Sequence, residues 1–82
     1  MIVEDDAELA EAIADGLRRE AIVAEVALDG DEALEKLTMN GYDVVLLDRD
    51  LRGVHGDEVC KWIVERGTGQ RVLMLTAAAQ AT

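Results

Sequence analysis

Residues 42–50 read Tyr-Asp-Val-Val-Leu-Leu-Asp-Arg-Asp, and this stretch decides the fold. Its centre, residues 44–47, is a run of four apolar residues, two of which are β-branched. Such a run is typical of a strand that is buried on both faces inside a parallel sheet. The run ends at a carboxylate, Asp48. Because ligands collect outside the carboxyl ends of strands in open α/β sheets, Asp48 is a metal ligand, a nucleophile or a cap for the next loop.

The residues on either side of this stretch alternate between predicted strands and predicted helices. Apolar residues at helical spacing predict the helices, and turns that contain Gly separate the elements. The other predicted strands cover residues 1–3, 22–28 and 71–76, and the predicted helices cover residues 7–20, about 31–40 and 57–66. Residues 77–82 are expected to be frayed or weakly helical. The short connections require parallel strands and right-handed crossovers, so the pattern predicts one α/β domain.

The charge of the chain narrows the range of partners. Its 82 residues include 8 basic and 18 acidic side chains, which gives a net charge of −10. Nucleic acids and anionic membranes both bind basic surfaces, so neither is expected as a direct partner of this segment. The charge suits a protein that binds cations or the basic surfaces of other proteins.

The cysteine content and the hydropathy of the chain favour a cytoplasmic location. Cys60 is the single cysteine, so the sequence has no disulfide framework, and a reducing compartment is expected. No apolar run approaches the roughly 18 residues that a membrane-spanning helix needs.

Polar residues follow three of the predicted strands. Glu4 and Asp5 follow the first strand, Asp48 follows the third, and Thr76 ends the fourth. If the first and third strands are neighbours, three carboxylates converge, and their mutual repulsion favours a bound cation. Oxygen ligands of this kind suit Mg²⁺. A carboxylate beside Mg²⁺ with a hydroxyl close by is also a workable phosphoryl acceptor.

Each of these residues also has a structural interpretation. The spacing of Asp5, Ala7 and Glu8 satisfies a helix capping box, and Asp48 by itself is as well suited to capping a loop. Thr76 alone indicates almost nothing. The placement of all of them at strand ends is what favours a functional site.

Three segments together resemble the receiver domain of two-component response regulators. They are residues 3–6, residues 42–50 continuing into Gly53-Val54-His55-Gly56, and residues 73–77. The resemblance covers essentially the whole chain. It implies an α/β, flavodoxin-like, doubly wound parallel sheet that is incomplete, with four strands in the order 2-1-3-4 and three helices. Residues 1–82 are then a single, partial receiver domain that ends after the fourth strand.

The resemblance also implies a role for each site residue. Asp48 would accept a phosphoryl group from a sensor histidine kinase within a phosphorelay that regulates transcription, and the chain itself would not be an enzyme. Mg²⁺ would be held by Glu4, Asp5, Asp48 and the backbone carbonyl of Asp50. Thr76 would supply the switch hydroxyl that turns toward the phosphoryl group.

The sequence departs from the family pattern at several positions. The lysine that ends the fifth strand of the family has no counterpart among these residues, and Lys36 and Lys61 lie on predicted helices where we expect them to be solvated. Arg52 stands where proline is common, and His55 stands where aspartate is common. We expect His55 to be a solvated loop residue. Its position near the site leaves a second contact to the phosphoryl group as the alternative.

Two other functions therefore stay open. One is a receiver-like interaction or oligomerisation module without phosphotransfer. The other is a phosphohydrolase of the haloacid dehalogenase type, because residues 46–50 also resemble that family's motif, with Asp48 as nucleophile and Asp50 as acid/base.

The resemblance also predicts how the chain assembles. The fourth strand would form one edge of the sheet, with unpaired N–H and C=O groups on a hydrophobic segment. We expect a homo-oligomer that forms through this fourth-strand edge and the sheet face beside it.

Overall fold

The computed structural model describes residues 1–48, 51, 56–67 and 69–75, without the side chain of residue 75. The strands are β1 (Ile2–Val3), β2 (Val26–Ala27), β3 (Val44–Asp48) and β4 (Arg71–Leu75), and the helices are α1 (Ala7–Arg19), α2 (Gly30–Met39) and α3 (Gly56–Arg66). The strands form one parallel sheet in the order β2-β1-β3-β4. The predicted fold class, strand order and number of helices are confirmed. The expectation for residues 77–82 lies outside the described residues.

The two layers of the core lie on opposite faces of the sheet. Val45 and Leu47 point to the face that α2 and α3 cover, and both are fully buried there with Val59 and Ile63 of α3. On the other face, Ile2 packs with Ala14 of α1 in a smaller cluster. Side chains alternate between the faces of a strand, so one sheet is sandwiched between helices on both sides.

The central strand is less buried than its sequence predicts. Val45 and Leu47 are inaccessible, but Val44 is 39% exposed and Leu46 is half-buried. The expectation of burial on both faces is therefore wrong for Val44. The reason lies in the packing of α1, which contacts β1 and β2. Among the described residues, no helix covers the same face of β3 and β4. Leu73 of β4, on this open face, is 56% exposed.

The second strand is much shorter than predicted. The sequence predicts a strand over residues 22–28, but β2 has two residues. The backbone leaves α1 through Ala21, whose φ of 62° is left-handed, and the Ile22 N–H donates to the Leu17 carbonyl. The Arg18 guanidinium donates to the Ala24 carbonyl at 2.9 Å. The Ile22 N–H and the Ala24 carbonyl thus form hydrogen bonds with the end of α1, which keeps them out of the sheet.

The two lysines, both expected to be solvated, have different surroundings in the structure. Lys61 is solvated as expected, with 75% of its side chain exposed. Lys36 is not simply solvated, because its Nζ donates to the Val26 carbonyl at 3.0 Å and lies 3.6 Å from a Glu32 carboxylate oxygen. Lys36 therefore ties α2 to β2.

In the part of the chain that the structure describes, no helix combines the length and the hydropathy that crossing a membrane requires.

Candidate metal centre

The register of β1 on β3 brings two acidic residues to one edge of the sheet. Ile2 pairs with Leu46 and Val3 pairs with Leu47. The next residue on the first strand is Glu4, and the next on the third strand is Asp48. Because the strands are parallel, both carboxylates lie at the carboxyl edge. The Glu4 N–H donates to the Ala27 carbonyl at 3.0 Å, so the backbone is still anchored to β2 at this point.

Three carboxylates meet at this edge, as the sequence predicts. Glu4, Asp5 and Asp48 each offer an oxygen, and these oxygens all lie within 4.8 Å of one another. Glu4 is 6% exposed, whereas Asp5 and Asp48 are half-buried. Carboxylate oxygens with access to water are the donor set that Mg²⁺ prefers, because this ion keeps several waters when it binds to a protein. The residues present therefore fit a magnesium ion.

The pKa of Glu4 reflects its burial and the negative charge of the neighbouring carboxylates. Burial raises the pKa of the Glu4 carboxyl above its usual range, and the neighbouring Asp48 and Asp5 raise it further. The Asp6 N–H, which donates to Glu4 Oε1 at 3.1 Å, opposes this rise of the pKa. The surroundings of Glu4 thus make its negative charge less favourable than it is in water, and a bound cation would offset this cost, as expected of an acidic metal site.

Two of the predicted site residues lie outside the described part of the chain. They are Asp50, whose carbonyl is a predicted ligand, and Thr76, the predicted switch residue. Arg52 and His55 also lie outside it.

The structure corrects the sequence interpretation of the cap of α1. The sequence suggests Asp5 as the capping residue, but the N-cap is Asp6, whose side chain accepts a hydrogen bond from the Leu9 N–H at 3.2 Å. Asp5 instead joins the carboxylate cluster. A sequence signal for this exists, because Asp6 is the last polar residue before the apolar-periodic segment, which is where an N-cap is expected.

Comparison with known proteins gives a family for the whole chain. The sequence profile of the response regulator receiver domain matches residues 1–82. The transcriptional regulatory protein CutR of Streptomyces coelicolor is 56% identical over 82 residues, which are 100% of this chain and 38% of that protein. The sensory transduction protein RegX3 of Mycolicibacterium smegmatis is 43% identical over 77 residues, which are 94% of this chain and 33% of that protein. The chain thus spans between 33% and 38% of the length of these relatives.

Solved structures show the same fold. The receiver domain of the Francisella response regulator 1452 superposes with a TM-score of 0.88 at 29% identity, over 93% of this chain and 63% of that chain. The response regulator TrrA of Thermotoga maritima, solved in complex with Mg²⁺–BeF, superposes with a TM-score of 0.87 at 32% identity, over 93% of this chain and 66% of that chain. With the profile match over its full length, the chain belongs to the family of response regulator receiver domains.

Proposed function

We propose that this chain is a phosphoryl-accepting receiver domain, with residues 1–82 forming a single, partial domain. Asp48 accepts the phosphoryl group from a phosphohistidine of a sensor histidine kinase. Glu4, Asp5, Asp48 and the backbone carbonyl of Asp50 hold Mg²⁺, and Thr76 is the switch hydroxyl. The observation that carries the proposal is the convergence of the Glu4, Asp5 and Asp48 carboxylates within 4.8 Å at the carboxyl edge of the sheet. The magnesium complex of TrrA supports the choice of cation.

Asp48 is well placed to act as the nucleophile. It ends β3, which pairs with β1 on one side and with β4 on the other, so its backbone is held from both sides. One carboxylate oxygen of Asp48 attacks phosphorus, the P–O bond forms while the P–N bond of the phosphohistidine breaks, and the leaving imidazole takes up a proton. When bound, Mg²⁺ would neutralise charge on the phosphoryl oxygens. Glu4 and Asp5 would supply the carboxylates that hold the cation in place.

A small phosphodonor tests this function without the kinase. We expect an acyl phosphate to form on the chain when Mg²⁺ is present and to be absent when a chelator replaces it. Intact-mass measurement and a free-phosphate assay are read together. Continuous release of phosphate would favour a phosphohydrolase of the haloacid dehalogenase type, and no reaction would favour an interaction module without phosphotransfer.

The proposed role is regulatory, and the proposed output of that regulation is inferred from longer relatives. CutR is named a transcriptional regulatory protein, and this chain matches 38% of it. We propose that a transcriptional output, and any contact with DNA, resides outside these residues, because their net charge of −10 disfavours a nucleic acid surface. The proposal includes a cytoplasmic location, where a kinase has access to ATP.

We also propose that the chain self-associates through the edge of β4 and the adjoining open face. β4 is the last strand in the sheet order, so one side of it lacks a strand neighbour among the described residues. On the open face, Val44 is 39% exposed and Leu73 is 56% exposed. Burial of such side chains stabilises a contact by about 25 cal/mol per Å². The net charge of −10 opposes association, but salt screens it over about 8 Å.

A further inference from the structure

The two helices α1 and α2 have different kinds of N-terminal cap. In α2, Asp29 accepts the Glu32 N–H at 2.7 Å, and the Glu32 carboxylate reaches back to accept the Leu28 N–H at 3.2 Å. Both carboxylates therefore come from α2 itself: Asp29 is its N-cap and Glu32 lies in its first turn. This is close to the usual capping box, in which the third helical residue returns a carboxylate to the start of the helix.

In α1, the returning carboxylate comes from outside the helix. Asp6 accepts the Leu9 N–H at 3.2 Å, but the third helical residue is Leu9 itself, which has no carboxylate to return. The Asp6 N–H donates instead to Glu4 Oε1 at 3.1 Å. Glu4 thus completes the cap of α1, and it is also one of the three carboxylates of the metal centre.

We propose that Asp6 is a positioning residue for Mg²⁺, and that the first turn of α1 is energetically coupled to the cation through Glu4. The inference rests on the proposed magnesium site. The Asp6 side chain fixes its own backbone against the first turn of α1, which aims the Asp6 N–H at Glu4. A Glu4 carboxylate that is already held loses less rotational freedom when the cation binds. Coupling is reciprocal, so the cation stabilises the first turn of α1 as well.

Three substitutions show whether Asp6 affects Mg²⁺ affinity by positioning Glu4, by its own charge or by the general stability of the chain. Asp6→Ala removes the cap and a negative charge, whereas Asp6→Ser removes the same charge but keeps a capping oxygen. Asp29→Ala removes the equivalent cap from α2, which does not contribute a residue to the carboxylate cluster. Mg²⁺ titrations at fixed ionic strength give the dissociation constants. We expect Asp6→Ala to weaken binding by about tenfold, and Asp6→Ser and Asp29→Ala to stay within about twofold of the wild type.

A second measurement uses the wild-type chain, so the test does not depend on how well a variant folds. The Leu9 and Ala10 amides bond to Asp6, and the Glu32 and Ala33 amides bond to Asp29. In amide hydrogen exchange, we expect Mg²⁺ to slow the α1 pair several-fold more than the α2 pair.

Each outcome of these two measurements has a definite meaning. Equal weakening by Asp6→Ala and Asp6→Ser would assign the effect to charge and overturn the inference. Equal weakening by Asp6→Ala and Asp29→Ala, or an equal change in exchange at both helices, would assign it to general stability and also overturn the inference. A wild-type chain that binds no Mg²⁺ would overturn the proposed metal site together with the inference.

Discussion

Val3 lies opposite Leu47 in the parallel pair formed by β1 and β3. Each of these buried residues is followed directly by a carboxylate, so the register places Glu4 beside Asp48. A slip of one residue in this register would turn the side chains of one strand to the other face of the sheet and separate the two carboxylates. The packing of the core and the geometry of the candidate site therefore depend on the same strand pairing.

The first prediction concerns Asp5, one of the proposed Mg²⁺ ligands. Asp5→Asn is expected to weaken Mg²⁺ binding by roughly tenfold or more, because one of the three clustered carboxylates is lost. Glu35→Gln, an exposed position on α2, changes the net charge equally and serves as the control. Calorimetric titration with Mg²⁺ measures the affinity of both variants. Unchanged affinity in Asp5→Asn would remove Asp5 from the site.

The second prediction concerns pH and the stability of the metal-free chain. Burial raises the pKa of Glu4 above its ordinary value of 4.5, so the folded chain binds more protons than the unfolded chain just above that pH. The contribution of Glu4 to stability is therefore complete below pH 4.5 and is lost as the pH rises through the raised pKa.

Glu4→Gln should remove this contribution to the pH dependence and make the metal-free chain more stable at neutral pH. Urea unfolding across a pH series, with chelator present, measures the free energy of unfolding of both proteins. If the free energy of unfolding varied with pH in the same way in both proteins, the surroundings of Glu4 would not disfavour its negative charge.

The third prediction compares two lysines. Lys36→Met should lower the free energy of unfolding by about 1 kcal/mol, because the hydrogen bond to the Val26 carbonyl is lost. Lys61→Met should change it by less than about 0.5 kcal/mol, since Lys61 is 75% exposed and its ion pair with Glu65 is long, at 4.0 Å. Chemical denaturation provides both values. A larger loss in Lys61→Met than in Lys36→Met would contradict the proposed tie between α2 and β2.

The fourth prediction concerns the open face of the sheet. Leu73→Glu should raise the concentration at which the chain self-associates, because it places a charge on the exposed apolar face of β4. Val64→Glu is the matched control, since Val64 is 70% exposed but lies on α3. Sedimentation over a concentration series gives the concentration at which each variant self-associates, and we expect only Leu73→Glu to raise it. A wild-type chain that stays monomeric at high concentration would contradict self-association altogether.

The order of elements and the carboxylate cluster could be predicted because both follow from local patterns. Alternating apolar segments define the strands and helices, and strand ends carry the acidic residues. The strand order is predicted by the family resemblance. Once β1 and β3 are neighbours, the convergence of Glu4 and Asp48 follows from the parallel direction of the two strands.

The features that the sequence did not predict depend on contacts between elements. The apolar pattern of residues 22–28 suits a strand, but hydrogen bonds to the end of α1 hold Ile22 and Ala24 away from the sheet. The exposure of Val44 depends on which strands α1 covers. Asp5 and Asp6 are adjacent and identical in type, so only the start of the helix distinguishes Asp5, the proposed ligand, from Asp6, the cap.

The most direct test of the account is to locate the phosphoryl group on the chain. After reaction with a small phosphodonor and Mg²⁺, borohydride reduces an aspartyl phosphate to homoserine, and peptide fragmentation identifies the converted residue. We expect conversion at Asp48 alone, we expect it to require Mg²⁺, and we expect none in Asp48→Asn. Conversion at Asp5 or Asp50 instead, or conversion at Asp48 that does not depend on Mg²⁺, would contradict the account.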